Sequence, residues 1–527
     1  MNTSFDIAIV GSGFGGSLLA MIARHLGHSV LLLERGLHPR FAIGESSTPL
    51  ANLLLEELAR RYELPGLLPL TKWGTWQKQY PRIGCGLKRG FTFYHHTLGV
   101  PWTEGPDRGN QLVVAASPHD SIADTHWYRP DFDHLLVRQA QARGVRYVDR
   151  VALQKPKISS SGITLAGQRA GEALTWHARF LVDATGPRGF LHQALALPEK
   201  SFPHLPDTQA LFTHFSGVER MENICASDQT PPCPADDAAL HHVFEGGWIW
   251  VLRFNNDITS AGVAATSGRA NELHLEQGVA GWNRLLERLP TVREQFSHAK
   301  PQFPFIHAPR LSFRSAAVAG SGWALLPSAA GFVDPLLSTG FPLTLLGVAR
   351  LAEIMERDWE TDRFETALET YAEQTLKEVD TAEEMVAALY ANMNDFKVFR
   401  ALALLYFAAA SFTETARRLG RPELAGDSFL MGDHPLFGPQ SRDCLRRALA
   451  PLTPLDKERL IAKVYETIAP VDVAGLGDLA RRNWFPVEAS DLLKSAPKLG
   501  ATEMEIRELL VRCGFHSRHT PFRREKR

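Results

Sequence analysis

The sequence predicts an α/β fold: a Rossmann-type dinucleotide-binding domain, an inserted β-sheet domain and a C-terminal helical region. Three observations predict it. The N-terminus reads as strand, glycine loop, helix and strand, Phe5–Val10, Gly11–Gly16, a stretch to about His25 and Ser29–Leu33. Residues 190–310 are rich in strand patterns. From about Phe341 onward the apolar residues recur with helical spacing.

The N-terminal unit comes first. The apolar run Phe5-Asp-Ile-Ala-Ile-Val10 suits a strand buried on both faces. In Gly11-Ser-Gly13-Phe14-Gly15-Gly16, Gly11 allows a tight turn, Gly13 lets backbone approach a pyrophosphate, and Gly16 lets the helix pack on the strand. The helix start supplies N–H groups to an anion. Glu34, followed by Arg35, ends the second strand, where a carboxylate can accept both ribose hydroxyls of an adenosine.

Composition sets limits. The chain has 527 residues, enough for two or three domains, with ordinary proportions of hydrophobic and charged residues. A formal net charge of −1 argues against nucleic acid as main partner. The basic tail after His516 reads as a solvated end. Five scattered cysteines show no metal-type spacing and fit reduced thiols, so no metal and a cytoplasmic location are expected. Asp6 interrupts any signal-peptide pattern. The apolar run Ala401–Phe412 is too short to span a bilayer and reads as a buried or interfacial helix.

Along the chain, the polar loop His38–Thr48 ends at Pro49, a good first residue for a helix over 50–62. Residues 63–117 read as irregular and aromatic, apart from a strand over Phe91–His95. Arg129 lies where a helix opens that runs to about Arg143, and a strand follows at 144–148. A hairpin over 158–180 leads into Phe180-Leu-Val-Asp183-Ala184-Thr-Gly186, whose small residues are placed to touch a nucleotide. Strands are expected at 210–215, 248–254 and 258–265, as a substrate lid. Leu368, Tyr371, Thr375, Val379, Ala382, Val386 and Leu389 mark one helix face, and proline-rich breaks near 433–439 and 451–454 divide the later helices. The expected division is 1–50, 115–188 and 312–360 for the cofactor domain, 51–114 and 189–311 for the substrate domain, and 361–527 for the helices.

Four stretches together resemble the flavin-dependent halogenases, on a fold similar to single-component flavin hydroxylases. They are the glycine loop, Gly44-Glu45-Ser46-Ser47-Thr48-Pro49, Trp248-Ile249-Trp250-Val251-Leu252, and Gly331-Phe-Val-Asp334-Pro335-Leu336-Leu337-Ser338-Thr339-Gly340. Cys85-Gly-Leu-Lys88-Arg-Gly-Phe-Thr-Phe93 and His241-His-Val-Phe-Glu245 look most like a phenol-halogenating branch. The resemblance implies a Rossmann-type FAD-binding domain and an enzyme in which reduced FAD, O2 and chloride or bromide yield hypohalous acid, delivered by a lysine to an electron-rich ring. By motif match that lysine is Lys88, since Lys72 and Lys78 lack its context. The implied cofactor set is Gly11, Gly13, Phe14, Gly15, Gly16, Glu34, Arg35, Ser46, Ser47, Arg129, Asp183, Ala184, Ser328, Gly331, Asp334, Pro335 and Gly340. Backbone amides of Thr339 and Gly340 would hold the halide, and Phe93, His95, Trp248 and Trp250 would line the substrate channel.

The pattern departs from the family in places. Pro327-Ser328 stands where relatives carry Gly-Asp, which implies looser FAD. Arg253 replaces a proline and would put a cation at the channel. Leu337 stands where indole-halogenating relatives carry Glu, which favours a phenol; His95, His96 and Arg253 are candidates to assist its ionisation. With one dinucleotide loop evident, a separate flavin reductase is the expected partner, and the substrate is a small aromatic, free or carrier-bound. The alternatives are a flavin monooxygenase or dehydrogenase on the same fold, and a non-catalytic flavin-binding protein.

Overall fold

The structure is a computed structural model that describes residues 3–159, 162–225 and 229–515; the basic tail after His516 lies outside the described residues. Five parallel strands form the centre of the first sheet, ordered Trp323–Leu325, Glu172–Asp183, Ser4–Val10, Val30–Leu33 and Arg146–Val148. Ile7, Ala8, Ile9 and Leu31–Leu33 are wholly buried, so apolar residues occupy both faces rather than alternate. The expected hairpin is Gly162–Arg169 on the first half of Glu172–Asp183, leaving its second half to pair with Ser4–Val10.

A second nine-stranded sheet runs in the order Thr208–Ser216, Thr259–Thr266, Gly247–Arg253, Ala239–Phe244, Gly90–His95, Gln111–Ala115 and Trp484–Phe485, with Lys300–Pro301 and Ile306–Ala308 on its first edge. One face carries Phe91, Phe93, Trp248, Trp250 and Phe212 into the main core. The other carries Leu211, Phe215, Ile249 and Val251 against Trp282, Leu285 and Val292 from the helices Val279–Arg288 and Pro290–Gln295. A separate ribbon pairs Cys85–Lys88 antiparallel with Asp124–Trp127.

Two expectations need correction, and a third holds for burial but not for length. Residues 63–117 are ordered rather than irregular, with a 3-10 turn Pro65–Thr71, a helix Trp73–Gln79 and the strands Cys85–Lys88, Gly90–His95 and Gln111–Ala115. The region after 361 is not wholly helical, because Trp484–Phe485 joins the second sheet beside Gln111–Ala115. The apolar run at 401–412 belongs to a longer helix, Phe396–Arg418, long and apolar enough to cross a membrane by composition. Its apolar residues, among them Phe399, Leu402, Leu405 and Phe412, are buried in the protein core.

The remaining helices follow the expected signals. The predicted face from Leu368 to Leu389 is buried along the helix Phe364–Ala391. Asp395 caps Phe396–Arg418 by accepting from the Val398 amide, and Thr453 with Asp456 forms a capping box at Pro454–Ile468.

Candidate active site

The glycine loop begins where Ser4–Val10 ends. Gly11 has φ +100°, and a Cβ there would lie 2.6 Å from the Ala184 carbonyl oxygen. A Cβ on Gly16 would overlap the Gly11 carbonyl, and one on Gly15 would press on Thr344 at 2.9 Å. These glycines therefore let the helix Phe14–His25 sit against both the strand end at Asp183 and the helix Gly340–Arg357. The Phe14 and Phe341 rings meet at 4.8 Å. Two helix starts, at Phe14 and at Gly340, thus converge, each with N–H groups that have no intrahelical acceptor.

Arg129 ties this region to the loop above it. Its guanidinium is held by Asp133 at 2.7 and 2.8 Å and donates to the Gly44 carbonyl at 2.9 Å, beside Gly13. Glu34 accepts from the Ser12 amide at 3.1 Å, the Ser12 hydroxyl at 2.8 Å and the Gly36 amide at 2.7 Å. Burial would raise its pKa, but Arg40 and these donors outweigh burial and hold it below the ordinary carboxylate value. Beyond it a cavity of about 280 Å³ is lined by His38, His134, Tyr147, Asp149 and Arg169. His38 shares Nε2 with the Ser12 hydroxyl at 2.8 Å and keeps a buried Nδ1 without a partner. This donor and acceptor set, next to a glycine cradle and a carboxylate, fits the adenosine and pyrophosphate of FAD. The cavity residues were not found from sequence, although His38 lies in the loop after the second strand and Tyr147 on the next parallel one.

A mutation follows from this geometry. Glu34→Gln keeps the side-chain shape and removes the charge, and should weaken FAD by about 1.5–3 kcal/mol. Fluorescence titration of FAD checks it; parental affinity would contradict the role. Because its pKa is depressed, the stabilisation from Glu34 is present in full above the ordinary glutamate value of about 4.5 and is lost as pH falls through its lower value in the folded protein.

Lys88 lies at the end of its strand and is 1% exposed. Nζ donates to the Ser46 hydroxyl at 2.8 Å and the Ser47 carbonyl at 2.5 Å, and sits 3.8 Å from the centre of the Phe91 ring. Burial draws its pKa down to about 7, against the opposing pull of Asp124, the residue paired with it across the ribbon. His241 lies on the next strand of the second sheet and stacks on Phe93 at 4.4 Å, with Trp248 at 5.2 Å. Its Nδ1 donates to the Thr92 carbonyl at 3.2 Å, and burial with the Lys88 charge lowers its pKa to about 3, so the ring is neutral.

Trp248 and Trp250 project from the same face. The Trp248 indole donates to Asp334 at 3.2 Å, and that carboxylate also accepts from the Tyr390 hydroxyl and the Leu336 amide, both at 2.9 Å. Burial nevertheless pushes Asp334 up to about 7. Trp250 lies flat over Gly262, where any Cβ would overlap its ring and Phe212. Leu337 and Ser338 adopt left-handed φ of 64° and 56°, a strained turn that delivers Thr339 as cap of the helix Gly340–Arg357.

The structure brings together Lys88, Ser46, Ser47, Phe93, Trp248, Trp250 and Asp334, and separately the glycine loop, Arg129, Ala184, Thr339 and Gly340. Ser46 faces Lys88, and the Ser47 hydroxyl bonds Asn52 at 3.1 Å. Asp183 spends its carboxylate on Thr185 and Leu191 within its own turn. Arg35 is exposed, Ser328 and Pro335 are half-buried, and Gly331 sits under Val379. Pro327 fills the space over Gly347, where a Cβ would overlap it. His95 is half-buried, bonded to the Met393 carbonyl at 3.0 Å and stacked on Phe396. Two expectations fail. Arg253 does not enter the channel: its strand alternates it to the far face, where it pairs with Asp236 at 2.8 Å. His96 also lies on that far face, bonded to His242 at 2.9 Å. His241, not singled out as a site residue, lies on the near face, stacked on Phe93.

Comparison with known proteins gives the family. The tryptophan halogenase family model matches residues 124–399, about half of the chain. The chain is 29% identical over 412 residues to the monodechloroaminopyrrolnitrin halogenase PrnC of Pseudomonas fluorescens, covering 76% of this chain and 70% of PrnC. It is 29% identical to the tetracycline 7-halogenase of Kitasatospora aureofaciens, over 68% of this chain and 66% of that enzyme. Among solved structures, halogenase PltM in complex with phloroglucinol and FAD superposes with TM-score 0.81 at 24% identity, over 91% of this chain and 99% of PltM.

Proposed function

Since the chain belongs to the tryptophan halogenase family and is a flavin-dependent halogenase, we propose that it halogenates a phenolic ring and that Lys88 delivers the halogen. FAD bound in the glycine cradle, reduced by a separate reductase in the cytoplasm, supplies with O2 the oxidant that turns chloride or bromide into hypohalous acid. The chain's own residues do the rest. The amides of Thr339 and Gly340 offer an anion site at a helix start. Trp248 and Trp250 form an aromatic wall. Lys88 holds the electrophile by hydrogen bond or as a haloamine, in a pocket from which water is excluded.

The observation that carries this reading is the fully buried Lys88 beside Phe91, with Phe93, His241 and Trp248 on the adjoining sheet face. A lysine there has lost its hydration, which a merely structural role would not repay. The substrate class follows from Leu337 and His241. A ring cation formed on halogen transfer must lose a proton. Leu337 supplies no carboxylate, so a ring activated by its own hydroxyl is favoured. His241, neutral and stacked on Phe93, keeps Nε2 as a hydrogen-bond acceptor that suits a phenolic hydroxyl, while too weak a base to take its proton. The phloroglucinol bound by PltM is a phenol of this kind.

The test is a competition between equal concentrations of a resorcinol-type phenol and tryptophan, with reductase, FAD, NADH and bromide. Halophenol should dominate, with a rate that rises through the phenol's pKa. Predominant halotryptophan would overturn the substrate assignment.

A further inference from the structure

We propose that Asp124 is a positioning residue for Lys88, governing through cross-strand register how readily the lysine gives up its proton. The inference rests on Lys88 being the residue that delivers the halogen. Lys88 and Asp124 are paired partners in the antiparallel ribbon, so their side chains leave the same face. Both are buried. Asp124 is not idle filler: Asn52 donates to it at 2.8 Å, Asn52 accepts from the Ser47 hydroxyl at 3.1 Å, and the Ser47 carbonyl accepts from Lys88 at 2.5 Å. The two ends of this chain of bonds are the lysine and the carboxylate. Its middle is fixed to the first turn of the helix Pro49–Arg61, which Thr48 caps through the Ala51 amide.

The other charged groups near the pair do not replace Asp124. His126 shares the ribbon face, and His241 faces Lys88 from the Ala239–Phe244 strand; burial and the lysine charge keep both neutral. Glu414 and Arg418 reach Asp124 from the helix Phe396–Arg418, where they pair at 2.7 Å; Glu414 adds to burial in raising the Asp124 pKa, and Arg418 opposes it. Among the described residues, Asp124 is the carboxylate that favours the charged form of Lys88. A buried carboxylate without such a partner would be costly, and burial does push its own pKa upward.

The sign is independent of which form of Lys88 is active. Removing the carboxylate charge makes the lysine shed its proton at lower pH. If the ammonium is required, the alkaline limb of product formation moves down; if the free amine is required, the acid limb moves down. The experiment measures halogenated product per flavin oxidised from about pH 5.5 to 9.5 for the parent, Asp124→Asn, Asp124→Glu and Asn52→Ala. Asp124→Asn should lower the midpoint by about one pH unit or more, and Asp124→Glu should return it towards the parent. Asn52→Ala leaves the carboxylate but removes a bond that favours its ionised form, and should shift the midpoint the same way by less. Asn52→Ala carries the test should Asp124→Asn not fold. A parental midpoint in whichever of these two folds overturns the inference. Lys88→Ala separates the premise: full product there removes the role of the lysine, whereas loss of product with unmoved midpoints removes only that of Asp124.

Discussion

Lys88→Met leaves flavin reoxidation near the parental rate and abolishes halogenated product. The lysine acts after the oxidant has formed, and its bonds run to Ser46 and Ser47 rather than to the glycine cradle. Methionine fills a similar volume without a nitrogen, so the loss is chemical rather than a cavity effect. Oxygen consumption and product mass are read in the same reaction. Hypohalous acid should then escape into solution, where an excess of a thioether, oxidised to its sulfoxide, detects it and keeps it from halogenating the substrate unaided. Full product formation by the variant would remove Lys88 from the mechanism.

Gly262→Val has the largest expected effect away from the lysine. The glycine lies opposite both Phe212 and Trp250 in its sheet, and any Cβ there would overlap both. Overpacking of this kind costs about 1–3 kcal/mol, which a thermal melt detects. The functional consequence is sharper. Trp250 must leave its place over the strand, breaking its 3.3 Å bond to Ser260 and opening the aromatic wall. Product should shift from a halogen isotope pattern toward a gain of one oxygen. Unchanged stability together with an unchanged product ratio would show that the indole tolerates displacement.

The cofactor half was legible in sequence because its requirements are local. Gly11 is required by its own left-handed φ and Gly16 by the Gly11 carbonyl in the same loop, and the carboxylate of Glu34 lies one strand away. The second sheet was harder. Ala239–Phe244 and Gln111–Ala115 are buried on both faces, so the alternation that announces a strand is absent. Arg253 was misplaced although alternation could have placed it: three residues beyond Trp250 in one continuous strand, it falls on the opposite face. Asp124 and His241 became visible only when pairing set them opposite Lys88 and beside Phe93. No spacing along the chain relates residues that distant strands bring together.

The wall behind Phe91 and Phe93 comes from elsewhere in the chain. Phe407 meets Phe91 at 5.2 Å and Phe399 meets Phe93 at 6.0 Å, both from the helix Phe396–Arg418, which no cofactor motif occupies. With the ring site as proposed, oxidant generation and ring selection lie in segments that can diverge at different rates. A gene lineage could retune what it decorates by drift in one apolar helix while leaving the dangerous redox step untouched. The cost is that this helix is also core, so each gain in repertoire draws on the same margin that keeps the protein folded.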